Sequence, residues 1–553
     1  EPRQEPPMAT DLPLDAETSG PVRDDLTDLD RLVEQHLDKL DQAKAIVRIW
    51  QRDGALFSED PAVARAVRNR LGWLFSVQTM RDQVERLAVL ARVVERQGYD
   101  RVLVVGMGGS SLWPEVVGRH LRGKRGMPIR VCDSTHPEAI ADWIGWCREG
   151  KALFVVATKS GGTLETLSAY KALRHAFDDG NHFVAITDAG SGLESLARAH
   201  GFREVFLNPV DIGGRFSATS LFGLVPAALA GVVLQDALDR VDAMLTECRE
   251  EDPRLNPGAR LGAFLAAAQQ TGRWQMRLAL GKDVKGFGNW IEQLVGESTG
   301  KLGTGVLPVL GGVEGAGAQL EQRLAHAVVV GLTTFAKPDE EFLLRATAAG
   351  IPQSAEVMPE VADLWTEVVR WEFATTVAGW LLGINPFDEP DVTSAKTATA
   401  AILAGQLAPV EPTRRLRVAS LNELPGALSQ ELASLPADDY VAVLAWLAPT
   451  QGNLQRLEAL RQTLQTRTDA AVVVQVGPRY LHSTGQFHKG GLPRGLFVVV
   501  TDSGRTDVAD IAIPQADFGF ARLVQAQAQG DVAVLMQRGK PVVVAELVPP
   551  AQS

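Results

Sequence analysis

Phe154-Val155-Val156-Ala157-Thr158-Lys159-Ser160-Gly161-Gly162-Thr163-Leu164-Glu165-Thr166 passes from an apolar run through hydroxyls and glycines into a helical pattern. A continuous apolar run is what a buried parallel strand requires. Two glycines let backbone approach a ligand without an intervening Cβ. Thr158, Ser160 and Thr163 add hydroxyls beside a helix N-terminus, where free N–H groups stabilise an anion. The stretch therefore reads as strand, phosphate-sized loop and helix start. The other reading is an ordinary strand-to-helix connection in which Thr163 caps the helix.

Upstream, Arg101-Val102-Leu103-Val104-Val105 runs into Gly106-Met107-Gly108-Gly109-Ser110-Ser111 and then a helical pattern from Trp113 to Leu121, a second anion-binding arrangement. It is not a dinucleotide fingerprint: the third glycine of GxGxxG is missing, and Asp133 alone is a poor ribose ligand. Apolar runs at Ile129–Val131, Phe183–Ile186 and Val205–Leu207 alternate with helical segments, which predicts a doubly wound parallel α/β domain. Both loops then lie at the carboxyl ends of strands in one sheet, the ligand position of open α/β folds.

The chain has 553 residues, enough for two to four domains. Residues 1–30, rich in Pro and acids, read as a flexible arm or linker. The chain begins before Met8, so either tag residues precede it or this is the downstream part of a longer polypeptide. Residues 31–98 read as a helical segment: Leu32, Val33, Leu37, Leu40, Ala43, Ile46 and Val47 follow a three-to-four spacing, as do Val84, Leu87, Leu90, Val93 and Val94. A first α/β domain is expected over 99–250 and a second over 251–553. In the tail, Leu416–Leu421, Tyr440–Leu444, Ala471–Val476, Leu496–Val500 and Val542–Val544 read as strand or buried segments, and Gln455–Leu464 as helix. Trp274, Trp290, Trp365, Trp371 and Trp380 are expected to pack in the core on helices.

A net charge of −12 argues against a nucleic-acid partner. Three scattered cysteines, Cys132, Cys147 and Cys248, give neither a disulfide framework nor metal-ligand spacing, which fits a reducing, cytoplasmic setting. No run of about 18 apolar residues and no basic-then-apolar leader is present, so no membrane partner is expected.

The two loops resemble the sugar-phosphate loops of the glucose-6-phosphate isomerase family, built on sugar-isomerase (SIS) domains. The resemblance extends to Gly213-Gly214-Arg215-Phe216-Ser217, Gly296-Glu297-Ser298-Thr299-Gly300-Lys301, Gly383-Ile384-Asn385-Pro386-Phe387-Asp388-Glu389-Pro390 and Leu481-His482-Ser483-Thr484-Gly485-Gln486. It implies two SIS-type doubly wound parallel-sheet domains with an N-terminal helical arm. It also implies an enzyme that interconverts glucose 6-phosphate and fructose 6-phosphate without cofactor or metal.

Such chemistry needs ring opening, a base at the carbon and a cation at the developing oxyanion. By resemblance Glu297 is the base, Arg215 faces the enediolate, and Lys396 and His482 serve ring opening. Thr158, Lys159, Ser160, Thr163, Gly109 and Ser110 hold the phosphate. Glu165 matches an acid near the site that orders loops or sugar hydroxyls. Read without the family, Glu297 is a surface acid on a loop, Arg215 a loop salt bridge, Lys396 a helix-surface lysine and His482 a structural histidine. His488, six residues from His482, lacks the family's Gly-Gln spacing.

Two features depart from the family. Glu389 stands where glutamine is usual, and a carboxylate there costs affinity unless it turns away or pairs with a cation. The motifs run Glu297, Lys396, His482 instead of base, histidine, lysine. The tail from about residue 410 is accordingly expected to rebuild part of the second sheet and deliver His482 within the same chain, as a monomer or homodimer. The arrangement looks most like the isomerase half of transaldolase/glucose-6-phosphate isomerase fusions, although no β/α-barrel pattern is present. The rival reading is a non-catalytic sugar-phosphate-binding SIS regulator, disfavoured by the intact Glu297, Arg215, Lys396 and His482 set. A further variant is dual use of mannose 6-phosphate.

Overall fold

The run Ala152–Ala157 is the central strand of a five-stranded sheet, buried along its whole length. The computed structural model describes residues 27–311, 320–335, 340–502 and 509–548, so most of the expected N-terminal arm lies outside the described residues. Sheet A contains β1 (Arg101–Val105), β2 (Ile129–Cys132), β3 (Ala152–Ala157), β4 (Phe183–Asp188) and β5 (Glu204–Asn208), all parallel in the order 2-1-3-4-5. Its two faces serve different cores, as the period of two requires. Val102 and Val104 pack with the N-terminal helices, whereas Leu103 and Val105 pack with Trp143, Phe154 and Tyr170.

Sheet B contains β6 (Gln275–Leu280), β7 (Leu307–Leu310), β8 (Ala327–Thr334) and β9 (Gln353–Met358), parallel in the order 7-6-8-9. Sheet C contains β10 (Arg414–Val418), β11 (Tyr440–Trp446), β12 (Ala471–Val476), β13 (Leu496–Thr501) and β14 (Val542–Leu547), parallel in the order 10-14-13-11-12. The α/β class, the parallel sheets and the helical N-terminal region are as expected. The tail is not: its strands bond only to one another and form a third sheet, so they do not complete the sheet of 275–358. The physical reason is a shared core. Trp274, just before β6, and Leu307 and Val309 of sheet B pack with Tyr440, Ala442 and Leu444 of sheet C, so the sheets associate through side chains and not through a hydrogen-bonded edge.

Eight helices position the site. They are α1 (Asp28–Gln42), α2 (Val84–Arg96), α3 (Leu164–Ala176), α4 (Phe287–Thr299), α5 (Leu364–Leu381), α6 (Pro390–Leu403), α7 (Gly485–Gly490) and α8 (Phe520–Gln537). Thr27 and Asp30 form a capping box that starts α1. The periodic run through Ala43 to Val47 breaks at Lys44, which adopts φ 49°, and a separate short helix Ala45–Trp50 follows. Trp290, Trp365 and Trp371 are buried on helices. Trp274 instead precedes β6, with its ring 5.8 Å from Tyr440. No helix among the described residues is long and apolar enough to cross a membrane.

Glu372, on α5, is 0% exposed, and neither carboxylate oxygen has a partner among the described residues. Burial pushes its pKa well above the ordinary value. The folded state thus holds a proton that the unfolded chain releases. Stability is full below the unfolded carboxyl pKa and falls as pH rises above it, by about 1.4 kcal/mol per unit until the folded group titrates. Glu372→Gln removes that slope. Its melting temperature is expected to exceed that of the parent by a margin that widens from pH 5 to pH 8, read by calorimetry at both values.

Candidate active site

A cleft of about 530 Å3 opens where the carboxyl ends of β1 and β3 meet α4, α6 and the segment that follows β12. The β1 loop packs tightly against its neighbour. A Cβ on Gly109 would lie 1.9 Å from the Gly214 carbonyl oxygen, so only glycine lets this loop lie against the one bearing Arg215. In the β3 loop, Gly161 adopts φ +70° to turn the chain towards α3.

Thr163 occupies the N-cap of α3, but its hydroxyl makes no capping bond. It pairs instead with the Thr158 hydroxyl at 2.7 Å, and both residues line the cleft. The capping function that an ordinary connection would give Thr163 is therefore unused, which leaves the helix N-terminus suited to an anion. Ser160, Gly109 and Ser110 line the same space. The Thr158 N–H is spent on the Ile186 carbonyl at 3.1 Å, so only its hydroxyl faces the cleft.

The cationic groups are distributed differently from the expectation. Lys159 lines the cleft, but its ammonium pairs with Asp188 and donates to the Val210 carbonyl at 3.0 Å, so its charge is already balanced. Burial raises the Asp188 pKa, with Lys159 opposing. Arg70, just after the helix Pro61–Arg68, also lines the cleft, and its side chain has no hydrogen-bond or ion-pair partner among the described residues. Sequence reasoning missed it, because an arginine in a helical arm carries no motif. Lys396, exposed on α6, also lines the cleft.

Arg215 is buried and almost fully engaged. Nε donates to Ser298 Oγ (2.7 Å), and Nη2 donates to the carbonyls of Pro386 (2.7 Å) and Asp388 (2.9 Å). Nη1 donates to Glu389 Oε2 (3.1 Å) and lies 3.3 Å from Glu297 Oε1. Two carboxylates thus share one end of the guanidinium. Glu389 is the cation-paired acid that the sequence demanded if a carboxylate was to be tolerated there. Burial raises its pKa, but Arg215 overcomes this and holds it below the ordinary value.

Glu297 is not a surface acid on a loop. It sits buried in the last turn of α4, and its Oε2 accepts from Gln293 Nε2 at 3.1 Å. Burial raises its pKa against the opposing charge of Arg215, and the neighbouring Glu389 adds to the rise. Gln293 also donates to the His482 carbonyl at 2.9 Å and lines the cleft. Its place four residues before Glu297 on one helix face was a usable signal. Lys301 is buried, bonded to the carbonyls of Asn385 (2.8 Å) and Asp388 (2.6 Å), and pulled down to about 8 by burial. It ties the Gly-Glu-Ser-Thr-Gly-Lys and Asn-Pro-Phe-Asp motifs together.

His482 ends a 3-10 turn, Arg479–His482, lines the cleft, and places Nε2 3.2 Å from Glu165 Oε1. Glu165 is not part of the cleft lining; it stands behind the histidine. Burial raises the Glu165 pKa, but His482 overcomes this and holds it below the ordinary value. His488 is a core residue: it contacts Tyr440 Oη (3.1 Å) and Gln475 Oε1 (2.7 Å), and burial takes its pKa well below the ordinary value.

A parallel sheet with two Gly/hydroxyl loops at the carboxyl ends of its strands makes the chain an open α/β protein with its cleft at the usual ligand position. Residues 76–302 match the family model described as phosphoglucose isomerase. Glucose-6-phosphate isomerase of Geobacter sulfurreducens is 33% identical over 285 residues, covering 49% of this chain and 53% of the relative. That of Carboxydothermus hydrogenoformans is 27% identical over 402 residues, covering 61% of this chain and 85% of the relative. The chain spans about half the length of several curated relatives it matches. A crystal structure of a glucose-6-phosphate isomerase from Chlamydia trachomatis shares the fold with a TM-score of 0.51 at 20% identity, over 68% of this chain and 83% of that one.

The charge layout has a direct test in anion binding. Arg70→Gln removes a cation that acts on Asp188 and Glu389 only at longer range and is expected to weaken inorganic phosphate binding about tenfold, the scale of one charge-assisted hydrogen bond. The double variant Lys159→Met/Asp188→Asn removes a balanced pair and is expected to change it less than about threefold. Isothermal titration calorimetry at fixed ionic strength distinguishes the two.

Proposed function

We propose that this chain interconverts glucose 6-phosphate and fructose 6-phosphate by ring opening and proton transfer between C1 and C2 through an enediolate. The observation that carries the reading is the convergence of Glu297, Arg215, Lys396 and His482, from four separate elements, on the cleft that both Gly/hydroxyl loops line. A regulator would need only the loops.

The phosphate is held by the hydroxyls of Thr158, Ser160, Thr163 and Ser110, the N-terminus of α3 and Arg70. Glu297 takes the proton from carbon. Its raised carboxyl pKa makes the ionised form a stronger base than a solvated glutamate. Arg215 Nη1, 3.3 Å from that carboxylate, stands where an oxyanion develops on the adjacent carbon.

Ring opening falls to Lys396 and His482. Glu165 is ionised, so it only accepts; His482 Nε2 therefore carries hydrogen and donates to it. Nδ1 is the nitrogen left to exchange a proton at the ring oxygen. All these groups belong to one chain, so a monomer suffices, and the reaction is assigned to the cytoplasm.

The test is a coupled assay from fructose 6-phosphate to glucose 6-phosphate, with chelator present, on the chain and on Glu297→Gln. Turnover is expected to survive the chelator and to fall by roughly a hundredfold or more in the variant, as for loss of a general base. Because the base must be ionised and its pKa is raised, activity is lost as pH falls through a value above the ordinary glutamate pKa of about 4.3. Binding of fructose 6-phosphate without turnover would replace this reading with that of a sugar-phosphate sensor.

A further inference from the structure

Helix α8 belongs to sheet C, yet it touches the machinery of the cleft at two points one turn apart. Gln527 is buried; its Nε2 donates to Glu165 Oε1 at 2.8 Å, and its Oε1 accepts from Thr135 Oγ1 at 2.6 Å. Asp531, four residues further on, accepts from Tyr480 Oη at 2.6 Å and pairs with Lys489 Nζ at 2.6 Å, both partners being buried. Tyr480 and Lys489 flank His482 on either side in sequence. One helix face therefore holds both Glu165, from sheet A's α3, and the segment that carries His482.

The donor pattern fixes the amide orientation. An ionised carboxylate only accepts, so the Gln527 NH2 must face Glu165, and the Thr135 hydroxyl then donates to the remaining oxygen. Glu165 Oε1 consequently receives two N–H groups, from Gln527 and from His482 Nε2. Without Gln527, the carboxylate loses a fixed bond and gains freedom to rotate away from the imidazole. The other charged groups around this pair are Lys396 on α6, which acts on Glu165, and Asp133 after β2 and Glu297 on α4, which both act on His482.

We propose that Gln527 is a positioning residue for the ring-opening histidine: its amide, oriented by Thr135, fixes Glu165 so that Glu165 fixes His482. The kinetic consequence rests on the isomerase reading above; the structural consequence does not.

The test uses the full chain with Gln527→Met, which keeps length and burial but cannot donate, and Thr135→Val, which removes only the orienting hydroxyl. Two readouts are taken: the pH profile of kcat and KM for fructose 6-phosphate, and the 13C NMR titration of the Glu165 side-chain carboxyl, assigned by its loss in Glu165→Gln.

Gln527→Met is expected to lower kcat about tenfold with KM within about twofold, the signature of lost orientation and not of lost binding. A carboxylate that loses a donor holds its proton to higher pH, so the Glu165 midpoint is expected to rise by about one unit. Thr135→Val should move both readouts the same way by less, and the double variant should be no worse than Gln527→Met, because Thr135 acts through Gln527.

An unmoved Glu165 midpoint in Gln527→Met, or fully additive effects of the two substitutions, overturns the proposal. If the parent chain shows no isomerase activity, that reading fails alone, and the carboxyl titration still decides the role of Gln527. If Gln527→Met does not fold, the shift in Thr135→Val decides it, no shift being the overturning result.

Discussion

The guanidinium of Arg215 is the constraint on which the cleft depends. A buried cation is tolerated only when its donors are satisfied. Arg215 meets that condition with partners from two distant stretches, Glu297 and Ser298 at the end of α4 and the 386–389 turn before α6. The loop after sheet A is thereby fastened to the elements that carry the base and Lys396. Lys301 repeats the fastening on the same turn, through the carbonyls of Asn385 and Asp388. The cleft therefore has its shape before any ligand arrives.

The same residue explains how an acidic protein makes a site for an anion. The chain carries a net charge of −12, but cations gather at the cleft, and each acid there either faces a cation or stands behind another group. Asp188 faces Lys159, Glu389 faces Arg215, and Glu165 lies behind His482. Glu389 is the instructive case. Alone it would repel a phosphate, but by sharing Nη1 with Glu297 it lowers the field that Arg215 exerts on the base. Burial raises the Glu297 pKa, and Glu389 adds to that rise, although a guanidinium lies 3.3 Å away.

What was legible in the sequence was local. The β1 and β3 loops could be read because an apolar run, glycines and hydroxyls lie in consecutive positions, and the helical arm because its period is short. The identity of the loop hydroxyls was legible; the loss of the Thr158 N–H to Ile186 was not, since that bond crosses to another strand. Lys159 reads as a free cation until Asp188, 29 residues on, is placed beside it. Arg70 and Gln527 carry no local signal at all, because each acts across a contact between units distant in the chain. The third sheet escaped for a related reason: apolar runs announce strands but not which strands they pair with.

The arrangement of that third sheet accounts for the displaced histidine. Read from β12, sheet C runs second, first, third and fourth among β11–β14, and then β10; sheet A has the same layout with its last strand at the end of the chain instead of the beginning. Moving one strand from the end to the start leaves the β11-to-β12 unit intact, and β12 stays an edge as β2 is in sheet A. That edge lies beside sheet B, where Leu310, Val474 and Val476 line one cavity. The chain leaving β12 at its carboxyl end therefore emerges next to α4, and within six residues of Val476 it presents His482, whose carbonyl is held by Gln293 of that helix. The return through α8 then brings Gln527 and Asp531 against the same segment. A histidine far along the chain from Glu297 can thus meet it because one edge strand ends beside the helix that carries the base.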